Sequence, residues 1–128
     1  MNRKQKTQDK RILIIADNRE LVASLKRYFD FVLGLMVNHF GFNETDKLAK
    51  DKGKADCILV DFTQDNGNTD AFIFIGRNDT ILSRFMLKIC LTYNASQLSD
   101  ERGALLKKCS WKFLDLLKIN ESWRTLHK

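Results

Sequence analysis

The stretch "KRILIIADNRELVASLKRYF", residues 10–29, sets the reading of the chain. A basic pair leads into the apolar run Ile12 to Ala16, rich in β-branched isoleucine, as in a strand buried on both faces of a parallel sheet. From Leu21 the period changes. Leu21, Leu25, Tyr28, Phe29, Val32 and Met36 recur at three- and four-residue steps, the pattern of a helix with one face turned inward. Asp17 and Glu20 stand at the start of that helix, where acceptors and negative charge suit the exposed backbone N–H groups. The unit is strand, turn, helix, and it places an ionisable side chain, Asp17, at the strand's end.

The same punctuation returns in "ADCILVDF", residues 55–62, where Cys57 to Val60 is a second buried strand that again runs into an aspartate, Asp61. Between the two units, Gly34 or Gly41 ends the first helix, Leu35 to Phe42 reads as a weaker strand, and a charged helix is expected from Asn43 to Gly53. "TQDNGNTD", residues 63–70, is a loop. "AFIFIG" fits a strand by composition, but Leu87, Ile89 and Leu91 alternate in the better strand Phe85 to Thr92, so residues 71–85 are read as helix. If "AFIFIG" were the strand, Thr80 to Tyr93 would be the helix. "GALLKK" reads as a short edge strand, and Phe113, Leu116, Leu117, Trp123 and Leu126 mark a terminal helix capped by Ser110. Strands alternating with helices imply an α/β sandwich around a five-stranded parallel sheet, shortened between strands 4 and 5.

A chain of 128 residues suits one domain, here residues 10–128 behind a basic, flexible tail at 1–9. With 44% apolar and 30% charged residues it has the composition of a soluble globular protein. Its longest apolar runs fall well short of the roughly 20 residues that span a bilayer, and no signal-peptide core follows the N-terminus, so a cytoplasmic protein without membrane contact is expected. Cys57, Cys90 and Cys109 form no CxxC pair; two of them lie inside apolar runs, where a thiol packs as a small hydrophobe, so core packing is expected rather than redox or metal chemistry.

The net charge of +6 is concentrated at the ends: residues 1–11 and 107–128 each carry +4, leaving the middle at −2. No helix-turn-helix, zinc finger or aromatic RNA-binding motif accompanies the basic tail, which argues against nucleic acid as the partner. "ADNRE" lacks the glycine-rich loop of a nucleotide-binding enzyme, so the chain is not read as an enzyme.

In parallel α/β sheets ligands bind at the carboxyl ends of the strands, at the topological switch point. Asp17 and Asp61 end the two clearest strands and are expected to meet on that rim. Two carboxylates so placed repel unless a cation lies between them, and Mg²⁺ takes one or two carboxylates with waters. Thr92 ends the next strand and offers a hydroxyl to an anion, and Lys107 or Lys108 ends the last and offers a positive charge.

These residues resemble the site of a response-regulator receiver domain. That family places an acidic pair after its first strand, a phosphoacceptor Asp after the third, Thr or Ser after the fourth and Lys after the fifth. The resemblance assigns these places to Asp17 with Asn18, to Asp61, to Thr92 and to Lys107. The 31-residue step from Asp61 to Thr92 agrees with family spacing, and "GALLKK" resembles the glycine-alanine approach to the family's lysine.

The family also implies a flavodoxin-like (βα)5 fold, Mg²⁺ held by Asp17, Asn18 and Asp61, and phosphotransfer to Asp61 from a histidine kinase or phosphotransfer protein. Output would pass through protein contacts, to a separate output protein or within a homodimer, with Trp111, Trp123, Lys112, Lys118 and Arg124 on the terminal helix as candidate anchors. The chain departs from the family at several points. Asn18 replaces the second acid, the Met-Pro turn after Asp61 is missing, no proline occurs anywhere, and the span from Thr92 to Lys107 is short. These departures raise the alternative of a pseudo-receiver that binds proteins without being phosphorylated.

Overall fold

The computed structural model describes residues 11–44, 46, 56–64, 69–93 and 101–127. The basic tail at 1–9, the helix expected at 43–53 apart from residues 43, 44 and 46, and residues 94–100 of the span from Thr92 to Lys107 lie outside these residues.

The apolar runs become strands β1 (Arg11–Ile15), β2 (Met36–Phe40), β3 (Cys57–Asp61), β4 (Leu87–Thr92) and β5 (Trp111–Asp115). Every residue of β3 is buried: the apolar run Cys57 to Val60, as expected of a central strand covered on both faces, and Asp61 at its end. The five strands form one sheet in the order β2-β1-β3-β4-β5, with all four pairings parallel. This is the flavodoxin-like order, and the expected α/β architecture holds. No described helix is long and apolar enough to cross a membrane.

Alternate side chains of each strand serve opposite faces of the sheet. Leu13, Ile15, Ile58, Val60 and Cys90 pack beneath α2 (Thr69–Arg77), α3 (Asp79–Leu82) and α4 (Glu101–Lys108). Ile12, Ile14, Leu59, Ile89 and Leu114 face α1 (Arg19–Lys26) and α5 (Ile119–His127). The two helices of this second layer meet where the Phe29 and Trp123 rings cross edge to face at 4.9 Å. The helical reading holds for residues 71–82 and ends before 83–85: Asn78 joins α2 to α3, its buried Nδ2 donating to the Phe74 carbonyl at 2.9 Å.

Three expectations need correction. The first helical face stops at Phe29, because α1 continues as a π-helical segment, Arg27–Val32, in which Leu33 N–H reaches the Tyr28 carbonyl. The wider turn carries an extra residue. Val32 swings out to 64% exposure, Leu33 packs inward in its place, and Met36 belongs to β2 after Gly34, whose φ of 68° makes the exit turn.

The second correction concerns the start of α1, whose cap is Asn18, not Asp17 or Glu20. The third concerns the C-terminal part. "GALLKK" is helix α4, with Gly103 and Leu106 buried one turn apart, and "WKFLD" is β5. Ser110 does not cap a helix; it takes a left-handed φ of 72° and turns the chain from α4 into β5. Trp111, Phe113 and Leu114 then occupy the place beside β4, where backbone pairing on one side outweighs their helical spacing. Both tryptophans are buried and so supply core rather than exposed anchors.

Phe29→Ala should cost about 3–5 kcal/mol in urea unfolding, whereas Phe31→Ala, at a ring 82% exposed, should stay within about 0.5 kcal/mol. Burial pushes the Cys57 and Cys90 thiols well above their ordinary pKa, while Cys109 is exposed. A thiol reagent at about pH 8 should therefore titrate one cysteine in the native protein and all three after denaturation.

Candidate functional site

The site follows from the register of β1 against β3. Ile15 pairs with Val60, so the chain leaves both strands at the same carboxyl edge and carries Asp17 and Asp61 with it. Both line one cavity of about 500 Å³, together with Asn18, Thr63, Gln64 and Asp70. The predicted juxtaposition of the two acids is what the structure shows.

Asp61 is fully buried. Its Oδ1 accepts from the Thr63 backbone N–H at 2.8 Å and from Thr63 Oγ1 at 2.5 Å. Its Oδ2 is buried with no hydrogen-bond partner among the described residues. A buried polar atom normally has a partner, and leaving one without costs about 1–3 kcal/mol for a neutral group and more for a charged one. The carboxylate is thus half anchored and half uncommitted, with the uncommitted oxygen in a residue that lines the cavity.

Asp17, more exposed, is held from outside the β1 turn: its Oδ1 accepts from Phe42 N–H at 3.1 Å, just past β2. Asn18 Oδ1 accepts from the N–H groups of Glu20 and Leu21 at 3.0 and 3.1 Å. That oxygen is committed to capping α1, and the remaining amide nitrogen is no ligand for a cation.

Thr92 is buried at the end of β4, as expected, but its hydroxyl donates to the Leu114 carbonyl at 3.4 Å and the residue does not line the cavity. Lys107 is placed differently from expectation. It lies in the last turn of α4, which leads into the start of β5 at the opposite end of the sheet, and its Nζ sits 5.5 Å from the centre of the Phe113 ring. Lys108 shares that turn. The residue that ends β5, opposite Thr92, is Asp115. Its Oδ1 accepts from Leu117 N–H at 2.9 Å and shapes the turn Leu116–Lys118 before α5. No described lysine or arginine lines the cavity.

Thr63 and Asp70 were not singled out from the sequence. Thr63 had a legible signal, since an aspartate commonly bonds the backbone two residues on. Asp70 carries none, because acids in the first turn of a helix are common for reasons of capping and dipole.

The donor set fits a small hard cation: two carboxylates on one rim, one with an unpartnered oxygen, in a cavity roomy enough for coordinated water. Among the described residues no cluster of three or more His, Cys, Asp or Glu is placed to enclose an ion.

Comparison with family models and with curated proteins gives no match. Two solved structures share the fold, each with a TM-score of 0.63. One is a pilus assembly-related protein from Burkholderia pseudomallei, 12% identical, aligned over 84% of this chain and 78% of its own. The other is a chain from the complex of the P1 domain of CheA3 with CheY6 from R. sphaeroides, 16% identical, aligned over 94% of this chain and 98% of its own. At these identities the likeness is one of fold.

Asn18→Ala should lower unfolding free energy by about 1 kcal/mol, because two N–H groups of α1 lose their acceptor. Asn18→Asp should keep stability within about 0.5 kcal/mol, since aspartate caps as well.

Proposed function

We propose that this chain is a receiver-like signalling domain that accepts a phosphoryl group on Asp61 and signals by altered protein contacts. One observation carries the reading: the uncommitted Oδ2 of buried Asp61, beside Asp17, at the switch point of a flavodoxin-like sheet. Thr63 holds Oδ1, which aims the other oxygen and lets it act as nucleophile. A bond forms from Oδ2 to phosphorus as the donor's P–N bond, in a phosphohistidine of a histidine kinase or phosphotransfer protein, breaks. The imidazole leaves and is neutralised by a proton; with acetyl phosphate, a P–O bond breaks and acetate leaves.

Asp17 and Asp61 would hold Mg²⁺, which supplies positive charge against the phosphoryl oxygens. Asp17 brings its negative charge to the rim in a fixed orientation, set by the Phe42 amide. The Thr92 hydroxyl, outside the cavity on a long bond to Leu114, would turn to exchange that bond for one to a phosphoryl oxygen. That exchange would loosen the carboxyl end of β4 from β5 and alter the surface beside them. The recipient is an output protein or a second copy of the chain. The CheA3 P1–CheY6 complex supports a protein partner by analogy of fold.

A second reading has its own observation. Asp115 ends β5 and Lys107 lies at the other end of the sheet, so no described cation faces the phosphoryl oxygens. This favours a pseudo-receiver that binds partners without phosphorylation.

Incubation with acetyl phosphate and Mg²⁺, followed by intact-mass measurement, separates the two. The wild type should gain one phosphoryl group, Asp61→Asn should gain none, and chelation of the metal should abolish the gain. A wild type that stays unlabelled by acetyl phosphate and by a phosphohistidine donor would overturn the phosphoacceptor reading in favour of the binding module.

A further inference from the structure

The carboxyl end of β2 is bound to the β1 turn by three separate contacts. Ala16 N–H donates to the Phe40 carbonyl at 3.1 Å, His39 Nε2 donates to the Ala16 carbonyl at 2.6 Å, and Phe42 N–H donates to Asp17 Oδ1 at 3.1 Å. Between them lies Gly41, in a turn closed on itself: its N–H donates to Glu44 Oε1 at 2.9 Å, and Glu44 N–H donates back to its carbonyl at 3.1 Å. A Cβ placed on Gly41 would stand 2.7 Å from Asp17 Oδ1. Carbon and oxygen do not approach so closely without a bond, so the carboxylate sits where only glycine leaves room.

Gly41 is not there for its backbone freedom. Among the described glycines Gly34 has a positive φ and Gly41 does not. Any L-residue could adopt its conformation, and the constraint is the space above its Cα. The atom a methyl group would meet belongs to a side chain, so the carboxylate would rotate away and the turn would persist.

We propose that Gly41 is a positioning residue: by leaving room for Asp17 Oδ1 against the Phe42 amide, in a turn locked by Glu44, it sets the cation affinity of the Asp17–Asp61 cavity. This rests on the cation-assisted reading of that cavity given above. Gly41 acts through Asp17 alone, and its contribution disappears when Asp17 has no carboxylate to place.

Calorimetric titration of the whole chain with Mn²⁺ tests this. Gly41→Ala should weaken binding at least about tenfold, the scale expected when a ligand's orienting partner is lost. In an Asp17→Ala background the same substitution should cause no further loss. A general structural effect would lower affinity in both backgrounds, and that result, or unchanged affinity in Gly41→Ala, would overturn the proposal.

Carboxyl ¹³C NMR of the metal-free protein gives an independent arm. Gly41→Ala should move the Asp17 signal and leave that of Asp61 in place; an unmoved Asp17 signal counts against the proposal. If the wild type takes up no Mn²⁺, the cation reading fails, and the NMR arm still decides whether Gly41 orients Asp17. Should Gly41→Ala not fold, Glu44→Ala loosens the same turn. Weaker Mn²⁺ binding with a shifted Asp17 signal then supports the proposal, and wild-type behaviour in both overturns it.

Discussion

The parallel register of β1 on β3 is the constraint from which the rest of the structure follows. With Ile15 opposite Val60, two acids 44 positions apart in the chain leave the sheet at the same rim. Apolar burial on both faces enforces that register, since a slip of one residue would exchange the side chains of β3 between the two helical layers. The place of both acids on the rim is therefore set by the core beneath them.

That packing holds an arrangement that does not itself favour stability. A carboxylate is held in full burial with one oxygen unpartnered among the described residues, and two further aspartates line the same cavity. Such local cost persists where surrounding packing over-determines it, and stability commonly yields to function at such positions. The supporting contacts have a clear division of labour. Thr63 fixes one Asp61 oxygen, Asn18 closes the helix so that Asp17 need not, and the end of β2 takes hold of Asp17. Asn18 thus caps α1 from the place where the receiver pattern would put a second acid.

The carboxyl end of β5 departs most from that pattern. An acid, Asp115, ends the strand and is turned to organising the next segment, while the lysines of α4 lie at the far end of the sheet. The cavity keeps its carboxylates without a described countercharge, and this imbalance sets the choice between phosphoryl acceptance and simple binding.

What the sequence determined alone was whatever is local and periodic. The apolar runs of β1, β3 and β4, the helical period after Leu21 and the placement of Asp17 and Asp61 at strand ends all follow from side-chain spacing against a two-sided core. Tertiary structure decided the features in which local signals compete. "GALLKK" and "WKFLD" each carry apolar residues that suit either period, and the open place beside β4, with a left-handed Ser110, assigned strand to the second. The π-helical widening after Lys26 shifts the helical period itself, and the pairing of Gly41 with Asp17 leaves no periodic trace, because it depends on how two separate segments occupy the same space.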